Sequence, residues 1–382
     1  MAKTLGGLFL STAKRVARLQ RQAFKIASQS TFSAIKKSPI KKKTAGKAAV
    51  KRNAPGKASI KPVAEAVLAG PGTWQNLIHK VAPTATELLG RLGYSLYRPV
   101  IRPVAGMPLV VMLHGCQQTA LDFAVGSHMN KLADSKGFVV AYPQQARRVQ
   151  ALRCWRWFQP DAAHGFAEAD AIADLARVLA SRYKLDRSRI YIAGMSAGAG
   201  MAGLVALRHP GLFAAVAMHS GPVLGDAQSA GNGMQTMRAG SSLDPASLVE
   251  LLVSRSGPFP GMPAIILHGQ RDHIVAKRNA DQLARQFVYL NWAAIGKGEA
   301  AKPVPADRPL PMSRESVLAA GTEREYDRQD YLLGKVTVVR LCLIKHIGHA
   351  WSGGDPRLKF NAKAGPRACR LIWQFFDGHR RS

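Results

Sequence analysis

Ser196 stands between two glycines directly after a short apolar run, in the stretch YIAGMSAGAGMA at residues 191–202. A serine hydroxyl is a poor nucleophile at neutral pH unless a histidine accepts its proton and a carboxylate orients that histidine. The spacing indicates a tight strand-to-helix turn in which Gly194 and Gly198 relieve crowding and the hydroxyl stands above a sheet. A pattern this short is a weak signal by itself, so the base and the acid must come from elsewhere in the chain.

Two later apolar runs end in residues of the required types. Asp272 follows the run at 263–269, and His349 follows the run at 336–344 in a glycine-flanked loop. The chain order serine, acid, histidine is the order used by the α/β-hydrolase fold. We therefore predict Ser196 as the nucleophile, His349 as the general base and Asp272 as the carboxylate that holds the base.

Neighbouring side chains are alternatives for both partner roles. His346 lies on the same loop as His349, and His273 lies on the same loop as the predicted acid. Asp355 and Asp330 are alternative carboxylates. A histidine picked at random is more often structural than catalytic, and the sequence leaves these alternatives open.

Attack by a hydroxyl on a carbonyl carbon also needs donors for the oxyanion that forms. The amide of Ala197, directly after the nucleophile, is the usual first donor. The early run VVMLHGCQ leads into Cys116, whose amide is the natural second donor because Gly115 allows the chain to bend close to the substrate. His114 and Gln117 are also open to a purely structural reading, as residues that shape this turn.

The motifs need a scaffold, and the apolar runs between residues 70 and 382 describe one. The runs predicted as strands are 108–115, 137–143, 189–194, 212–220, 263–269 and 336–344. The stretches predicted as helices are 167–183 and 199–210. Nearly continuous Val, Ile, Leu and Ala in the strands, with helices between them, favours a mostly parallel central sheet covered on both faces. Each functional motif falls at the carboxyl end of a strand, where such sheets carry their working residues.

From about residue 96 to the C-terminus, the motifs resemble those of a known family. Those that carry the resemblance are LHGCQQTALDF, YPQQ, CWRWF, IYIAGMSAGAGMA, HGQRDHIV and GHAWSGG, in this order. The chain resembles the poly(3-hydroxybutyrate) depolymerase-like esterases, which include feruloyl and acetylxylan esterases. The resemblance implies an α/β-hydrolase fold and a cofactor-independent serine esterase, with Ser196, Asp272 and His349 as triad and the Cys116 and Ala197 amides as oxyanion donors.

The resemblance also implies how the rim of the site is built. In the family the cysteine of LHGC tends to bond with the cysteine of CW, which here implies a disulfide between Cys116 and Cys154. That bond would clamp the oxyanion loop and bring Trp155 and Trp157 to the mouth of the cleft. We therefore expect these two rings and Gln117 to contact substrate, although core packing is an equally open reading of both tryptophans.

Two departures from the family pattern bear on the substrate. Ser352 stands in GHAWSGG where family members often have proline. A Ser/Thr-rich linker and a polymer-binding domain, which extracellular polymer-degrading members carry, do not follow the motifs in this sequence. We accordingly expect hydroxyalkanoate oligomers or short-chain and aryl esters as substrates rather than crystalline polyester.

Charge is unevenly spread, and residues 1–64 carry about half of the net positive charge. The 382 residues carry a formal net charge of +31, and residues 1–64 hold 16 of the 54 Lys and Arg residues and none of the 23 Asp and Glu residues. We predict a basic amphipathic helix followed by a disordered Lys/Ala-rich linker over 1–69, and one catalytic domain over 70–382. An alternative function follows: a surface-docking or binding protein whose basic arm targets a membrane, a polyester granule or nucleic acid. A solvated tail that binds polyanions without specificity is an equally simple reading, and we expect no specific nucleic-acid partner.

The remaining composition narrows the class of protein. The four cysteines have neither CxxC spacing nor a Cys/His cluster, so we expect no metal, and their even number permits two disulfides or four buried thiols. No run reaches the ~18 apolar residues of a membrane span. The N-terminus also lacks a clear secretory signal. The family implies an extracellular or periplasmic location, with a cytoplasmic, granule-associated one as the alternative.

Overall fold

The structure is a computed structural model, and it describes residues 69–81, 90–161, 163–249, 252, 259–294 and 313–381. Two compact units divide the chain, and the described residues belong to the second, Ala66–Ser382. Of the predicted amphipathic helix and linker over 1–69, residues 1–68 lie outside the described residues. The predicted domain boundary after residue 69 therefore stays a prediction.

A central sheet of ten strands organises the described part of the chain. In chain order its strands are β1 (Thr73–Lys80), β2 (Arg91–Arg98), β3 (Leu109–Leu113), β4 (Val139–Gln144), β5 (Ile190–Met195), β6 (Ala215–His219), β7 (Ala264–Gly269), β8 (Ser313–Leu318), β9 (Tyr326–Leu333) and β10 (Val336–Ile344). Their order across the sheet is β1-β2-β4-β3-β5-β6-β7-β10-β9-β8. A separate two-stranded sheet pairs β11 (Trp351–Ser352) with β12 (Asn361–Ala362).

Six strands form the middle of the sheet and run parallel to one another. In spatial order they are β4, β3, β5, β6, β7 and β10. They are the six runs that the sequence predicts, so the predicted parallel sheet is confirmed. The residues of β3, β5, β6 and β7 are all buried, as expected for parallel strands with helices on both faces, whereas β10 is only partly buried.

The four outer strands pair in antiparallel fashion and were not predicted. β1 and β2 extend the sheet beyond β4, and β9 and β8 extend it beyond β10. Charged and polar residues interrupt their apolar residues, as in RLGYSLYR and YDRQDYLL. Strands near a sheet edge have less to bury, so the continuous apolar pattern that marks a central strand is missing.

Helices cover both faces of the sheet. They are α1 (Ala120–Ser127), α2 (Met129–Lys136), α3 (Gly165–Arg182), α4 (Ala197–Arg208), α5 (Ala230–Ala239), α6 (Pro245–Val249), α7 (Arg278–Ala293) and α8 (Ala368–Asp377). One core cluster joins Leu109, Val111 and Leu113 of β3 to α3, α4 and α7, and the other joins Val110 and Met112 to α1, α2 and α8. The alternation along β3 shows that the two clusters lie on opposite faces. Among the described residues no helix is both long and apolar enough to cross a bilayer.

The sheet order decides where chemistry can occur. β3, β5, β6, β7 and β10 are consecutive neighbours and run parallel, so their carboxyl ends meet at one edge. The residues that follow these strands come from distant parts of the sequence. The loops after β3, β5, β7 and β10 are those that carry the predicted site residues, which this edge brings together.

Candidate active site

Ser196 occupies a sharp turn between β5 and α4. Its backbone angles are φ 57° and ψ −122°, a sparsely populated conformation for a residue with a side chain. A Cβ on Gly194 would lie 2.1 Å from the carbonyl oxygen of Gly198, and one on Gly198 would lie 2.2 Å from that of Leu113. The turn therefore requires glycine at both positions, which is the physical reason for the glycines beside the serine.

A chain of two hydrogen bonds joins the three predicted triad residues. His349 Nε2 lies 2.9 Å from Ser196 Oγ, and His349 Nδ1 lies 2.8 Å from Asp272 Oδ2. Because an ionised carboxylate only accepts hydrogen bonds, Nδ1 carries the proton and Nε2 is free to accept the serine proton. This is the tautomer that a general base needs.

The environment of Asp272 keeps its carboxylate ionised. Burial by itself raises the pKa of Asp272, but the His349 ring, the nearby His268 ring and the backbone N–H of Val275 outweigh it and hold the pKa at about 2. Oδ1 accepts from the backbone N–H groups of Ile274 and Val275, both at 2.9 Å. The carboxylate is thus fixed on both oxygens and negative at neutral pH.

The competing side chains lie elsewhere or have other partners. His346 and His273 are exposed. Asp330 accepts from Arg340 at 2.6 and 2.9 Å, and Asp355 accepts from Arg357 at 2.6 Å. Among the described residues, the hydrogen bonds of these two carboxylates therefore do not extend to His349.

The loop after β3 approaches the serine closely. A Cβ on Gly115 would lie 3.5 Å from Ser196 Cβ, and the Gly115 N–H donates to Gln118 Oε1 at 2.9 Å. Within the described residues, neither the Cys116 N–H nor the Ala197 N–H donates to a protein acceptor. Two unused donors beside Ser196 are the arrangement that an oxyanion requires.

A disulfide joins Cys116 to Cys154, with the two Cα atoms 4.3 Å apart. Beside it Gln117 has a left-handed backbone, its N–H donates to Leu152 O at 2.6 Å and its side chain is exposed. Cys342 and Cys369 are buried free thiols, so the possibility of a second disulfide is wrong. Burial raises their pKa values to about 12 and about 11, which keeps both thiols protonated.

Both tryptophans are buried, and Trp155 does not line the mouth of the cleft. Trp155 is 1% exposed and its indole N–H donates to His114 O at 3.1 Å, so this ring packs behind the oxyanion loop instead of lining the mouth of the cleft. Trp157 is 5% exposed and packs in a small cluster with Phe158 and Ala197. Because Trp157 and Ala197 belong to the same cluster, Trp157 lies at the border of the site. Substrate binding by Gln117 and Trp157 stays a prediction.

Three buried histidines support the site, and two of them, His219 and His268, were missed as functional candidates. His114, His219 and His268 are fully buried, each at or near the carboxyl end of an apolar strand. Burial lowers the pKa of His114 to about 4 and that of His219 to about 3, so both rings are neutral at neutral pH. In the sequence, each of these histidines ends an apolar run: His114 in LHG, His219 in MHS and His268 in a second LHG. A histidine at the end of a buried strand was the signal that could have indicated them.

His219 contacts two parts of the site, the nucleophile turn and the segment that follows His349. Its carbonyl oxygen accepts from Ser196 N–H at 2.9 Å, its ring stacks on Trp351 at 5.1 Å, and its Nε2 accepts from Ser352 N–H at 3.2 Å. Proline has no backbone N–H, so the Ser352 bond exists only because a residue other than proline stands here. The departure from the family motif therefore adds one hydrogen bond behind the base.

Residues 92–303, more than half of the chain, match the family model of the PHB depolymerase esterases. The chain belongs to this family. The match includes Ser196 and Asp272, whereas His349 lies beyond its end.

Several curated relatives resemble the chain. Poly(3-hydroxyalkanoate) depolymerase C of Paucimonas lemoignei is 34% identical over 188 residues, which are 48% of this chain and 45% of that protein. Poly(3-hydroxybutyrate) depolymerase of Ralstonia pickettii is 26% identical over 76% of this chain and 58% of its own length. Acetylxylan esterase A of Talaromyces purpureogenus is 28% identical over 53% and 54% of the two chains. The chain thus spans about half the length of the curated relatives it matches.

Among solved structures, an acetyl xylan esterase from Aspergillus awamori has the same fold. It superposes with a TM-score of 0.59 at 20% identity, covering 80% of this chain and 100% of that one. Together with the sheet order and the helical layers, this likeness confirms the predicted α/β-hydrolase architecture.

Proposed function

We propose that this protein is a serine esterase that hydrolyses carboxylic esters through an acyl-enzyme. Ser196 Oγ attacks the ester carbonyl carbon while His349 Nε2 takes the hydroxyl proton, and the Cys116 and Ala197 amides stabilise the oxyanion. The tetrahedral intermediate collapses, and the alcohol leaves with the proton from His349. Water, activated by the same imidazole, then attacks the acyl-enzyme and releases the acid.

One observation carries the proposal: the hydrogen-bonded chain from Asp272 through His349 to Ser196, with distances of 2.8 and 2.9 Å, beside two unused amide donors. Membership of the PHB depolymerase esterase family supports the same reaction class. These side chains come from loops at three separate strand ends, so chance proximity of unrelated polar residues is a poor explanation of the arrangement.

Replacing the nucleophile and the base tests the reaction. We expect Ser196→Ala to lower kcat for p-nitrophenyl butyrate by a factor on the order of 10⁴ or more. His349→Gln is expected to cause a comparable loss, whereas His346→Gln, an exposed histidine on the same loop, is its matched control and should retain full turnover. Folded Ser196→Ala protein with most of the wild-type kcat would contradict the proposal.

We propose hydroxyalkanoate oligomers or short-chain and aryl esters as the substrate class. The names of the bacterial relatives support a hydroxyalkanoate ester, and that of the fungal relative supports a small acyl group on a sugar. A hydrolysis panel of hydroxybutyrate oligomers, ethyl ferulate and acetylated xylan separates these options by kcat/KM. Hydroxybutyrate oligomers are expected to give the highest value.

A second function has a specific observation in its favour, the basic segment of residues 1–64. We propose that this segment binds anionic surfaces and brings the esterase to them. Clustered lysine and arginine side chains attract polyanions through their long-range field, without requiring a specific partner. The segment lies outside the described residues, so charge alone supports this proposal.

A further inference from the structure

Glu168 is a buried carboxylate that the triad and the oxyanion donors do not use. It lies in the first turn of α3, and its side chain is 1% exposed. Oε1 accepts from Gln145 Nε2 at 2.7 Å, and Oε2 accepts from the Arg156 backbone N–H at 2.8 Å. The Arg156 guanidinium is 4.0 Å away and donates instead to Val149 O. The carboxylate therefore joins two chain segments, the end of β4 and the CWRWF loop.

The first segment reaches the oxyanion loop through a histidine. The Gln145 backbone N–H donates to His114 Nε2 at 3.1 Å, and His114 Nδ1 lies 2.8 Å from Gly115 O. The buried ring is neutral and accepts at Nε2, so its single N–H is at Nδ1 and donates to Gly115 O. The Gln144 side-chain amide also lies 3.1 Å from His114 Nε2, so Gln144 and Gln145 together select the tautomer that binds the loop.

The second segment reaches the same loop at two further points. Trp155, which precedes Arg156, donates its indole N–H to His114 O at 3.1 Å. Cys154 forms the disulfide with Cys116, and Cys154 O accepts from Gln145 Nε2 at 3.3 Å. The side chains of Glu168 and Gln145 thus hold both supports of the loop in one buried network.

The planarity of the peptide bond links this network to catalysis. Gly115 C=O and Cys116 N–H belong to the same peptide plane and point in opposite directions in a trans peptide. A hydrogen bond that holds Gly115 O toward His114 therefore also fixes the direction of the Cys116 N–H. An oxyanion donor loses most of its effect when its direction or distance changes by a small amount.

We propose that Glu168 is a positioning residue for the oxyanion hole, acting through Gln145 and His114 to aim the Cys116 N–H at the developing oxyanion. The inference rests on the proposed esterase function and adds to it a role for a residue outside the triad. It predicts that Glu168 acts on the transition state and leaves ground-state binding of the ester nearly unchanged.

The test compares E168Q with wild type. The glutamine side chain has almost the same volume as glutamate, but one of its two polar atoms is a donor. It therefore places an N–H group against one of the two donors that bind Glu168, Gln145 Nε2 or the Arg156 backbone N–H. We expect kcat for p-nitrophenyl butyrate to fall by about 10- to 100-fold with KM within about twofold, since loss of a whole oxyanion donor costs about 10²- to 10³-fold. Affinity for butylboronic acid, which adds to the serine as a tetrahedral boronate, should fall by the same factor.

Two further variants complete the test. The reciprocal double variant Q145E/E168Q restores a carboxylate opposite an amide with the roles exchanged. It removes only the longer Gln145 bond, the one to Cys154 O at 3.3 Å, so kcat should still recover at least fivefold over E168Q. D174N is the matched control on the same helix, because Asp174 is half exposed and bonds His79 far along the chain from the loop. Its kcat should equal that of wild type.

Unchanged kcat in E168Q, or a lower kcat with unchanged boronate affinity, overturns the inference. If E168Q does not fold, the reciprocal variant decides: folded protein with kcat within tenfold of wild type supports the relay, and a larger loss or failure to fold overturns it. Failure of the esterase proposal is distinct, because wild-type turnover would then not depend on Ser196.

Discussion

Asp272 combines a buried position with a pKa held at about 2, and this combination has a consequence for stability. Its side chain is fully buried, and the carboxylate accepts hydrogen bonds from His349 and from two backbone amides. The folded pKa lies below the ordinary value of 3.8. The interactions therefore stabilise the fold above about pH 4, and this stabilisation is lost as the pH falls toward 2, where the folded state takes up the proton.

We expect Asp272→Asn to alter both stability and turnover. Wild-type protein should lose stability between pH 4 and 2 as the Asp272 carboxylate takes up a proton. The variant should lack this part of the loss, which is on the order of 2 kcal/mol in the free energy of unfolding. Its amide places a donor against His349 Nδ1 and favours the wrong tautomer, so kcat should fall by about 10⁴. Urea unfolding at several pH values and ester turnover measure the two effects. Ser196→Ala is the control because it keeps the Asp272 carboxylate. If the free energy of unfolding changed with pH in the same way in both variants, the lowered pKa of Asp272 would be contradicted.

At the scale of elements, the junction of β5 and α4 leaves no space around its glycines. Ser196 has an unfavourable backbone conformation, and the turn is tolerated because neighbouring strands hold it: the Ser196 N–H donates to His219 O at 2.9 Å. Gly198 packs against the carbonyl oxygens of Leu113 and His114, which belong to the strand and loop that carry the oxyanion donor. The nucleophile and the oxyanion loop are thus built against each other.

Gly198→Ala is expected to destabilise the fold by at least about 2 kcal/mol and to lower kcat, since the added methyl would lie 2.2 Å from Leu113 O and 2.5 Å from His114 O. Gly211→Ala, just beyond the end of the same helix, is the matched control because nothing lies within 4 Å of its added Cβ. Its unfolding free energy should change by less than about 0.5 kcal/mol. Chemical denaturation measures both, and equal values would refute the packing account.

At the scale of the whole molecule, the purely basic segment and the site residues fall on different parts of the chain. The site residues all lie in the unit Ala66–Ser382, whereas residues 1–64 carry basic side chains and no acidic ones. The described fold is held at its start by Asn130, which donates to Ala69 O at 2.8 Å. A deletion that ends at residue 64 leaves this contact in place.

Deleting residues 1–64 should leave kcat/KM for p-nitrophenyl butyrate within about twofold of wild type and remove binding to phosphatidylglycerol vesicles. Full-length protein should sediment with the vesicles at 50 mM salt and much less at 500 mM, because exposed charges are screened over about 10 Å at 0.1 M salt. Neutral phosphatidylcholine vesicles are the control. Vesicle binding that survives the deletion would assign the interaction to the folded unit instead.

Much of the central architecture was predictable, and the residues show why. β3, β5, β6 and β7 are nearly continuous apolar runs because both of their faces are covered, so the local sequence indicates their burial directly. β1, β2, β8 and β9 mix polar and apolar residues, and their pairing depends on neighbours far away in sequence. Trp155 was misplaced for a similar reason: a tryptophan next to a site cysteine has the same local sequence whether its ring faces solvent or packs behind the loop.

By itself the sequence determined the residue types, their order and their places after strands, which was enough to predict Ser196, Asp272 and His349 as a set. Only the tertiary structure decided that His349 and not His346 faces the serine, since the bonded side chains are 153 and 77 residues apart. It also decided that Glu168 lies behind the oxyanion loop. Local pattern reports burial and backbone conformation, whereas contacts between distant residues exist only after the sheet has brought the strand ends together.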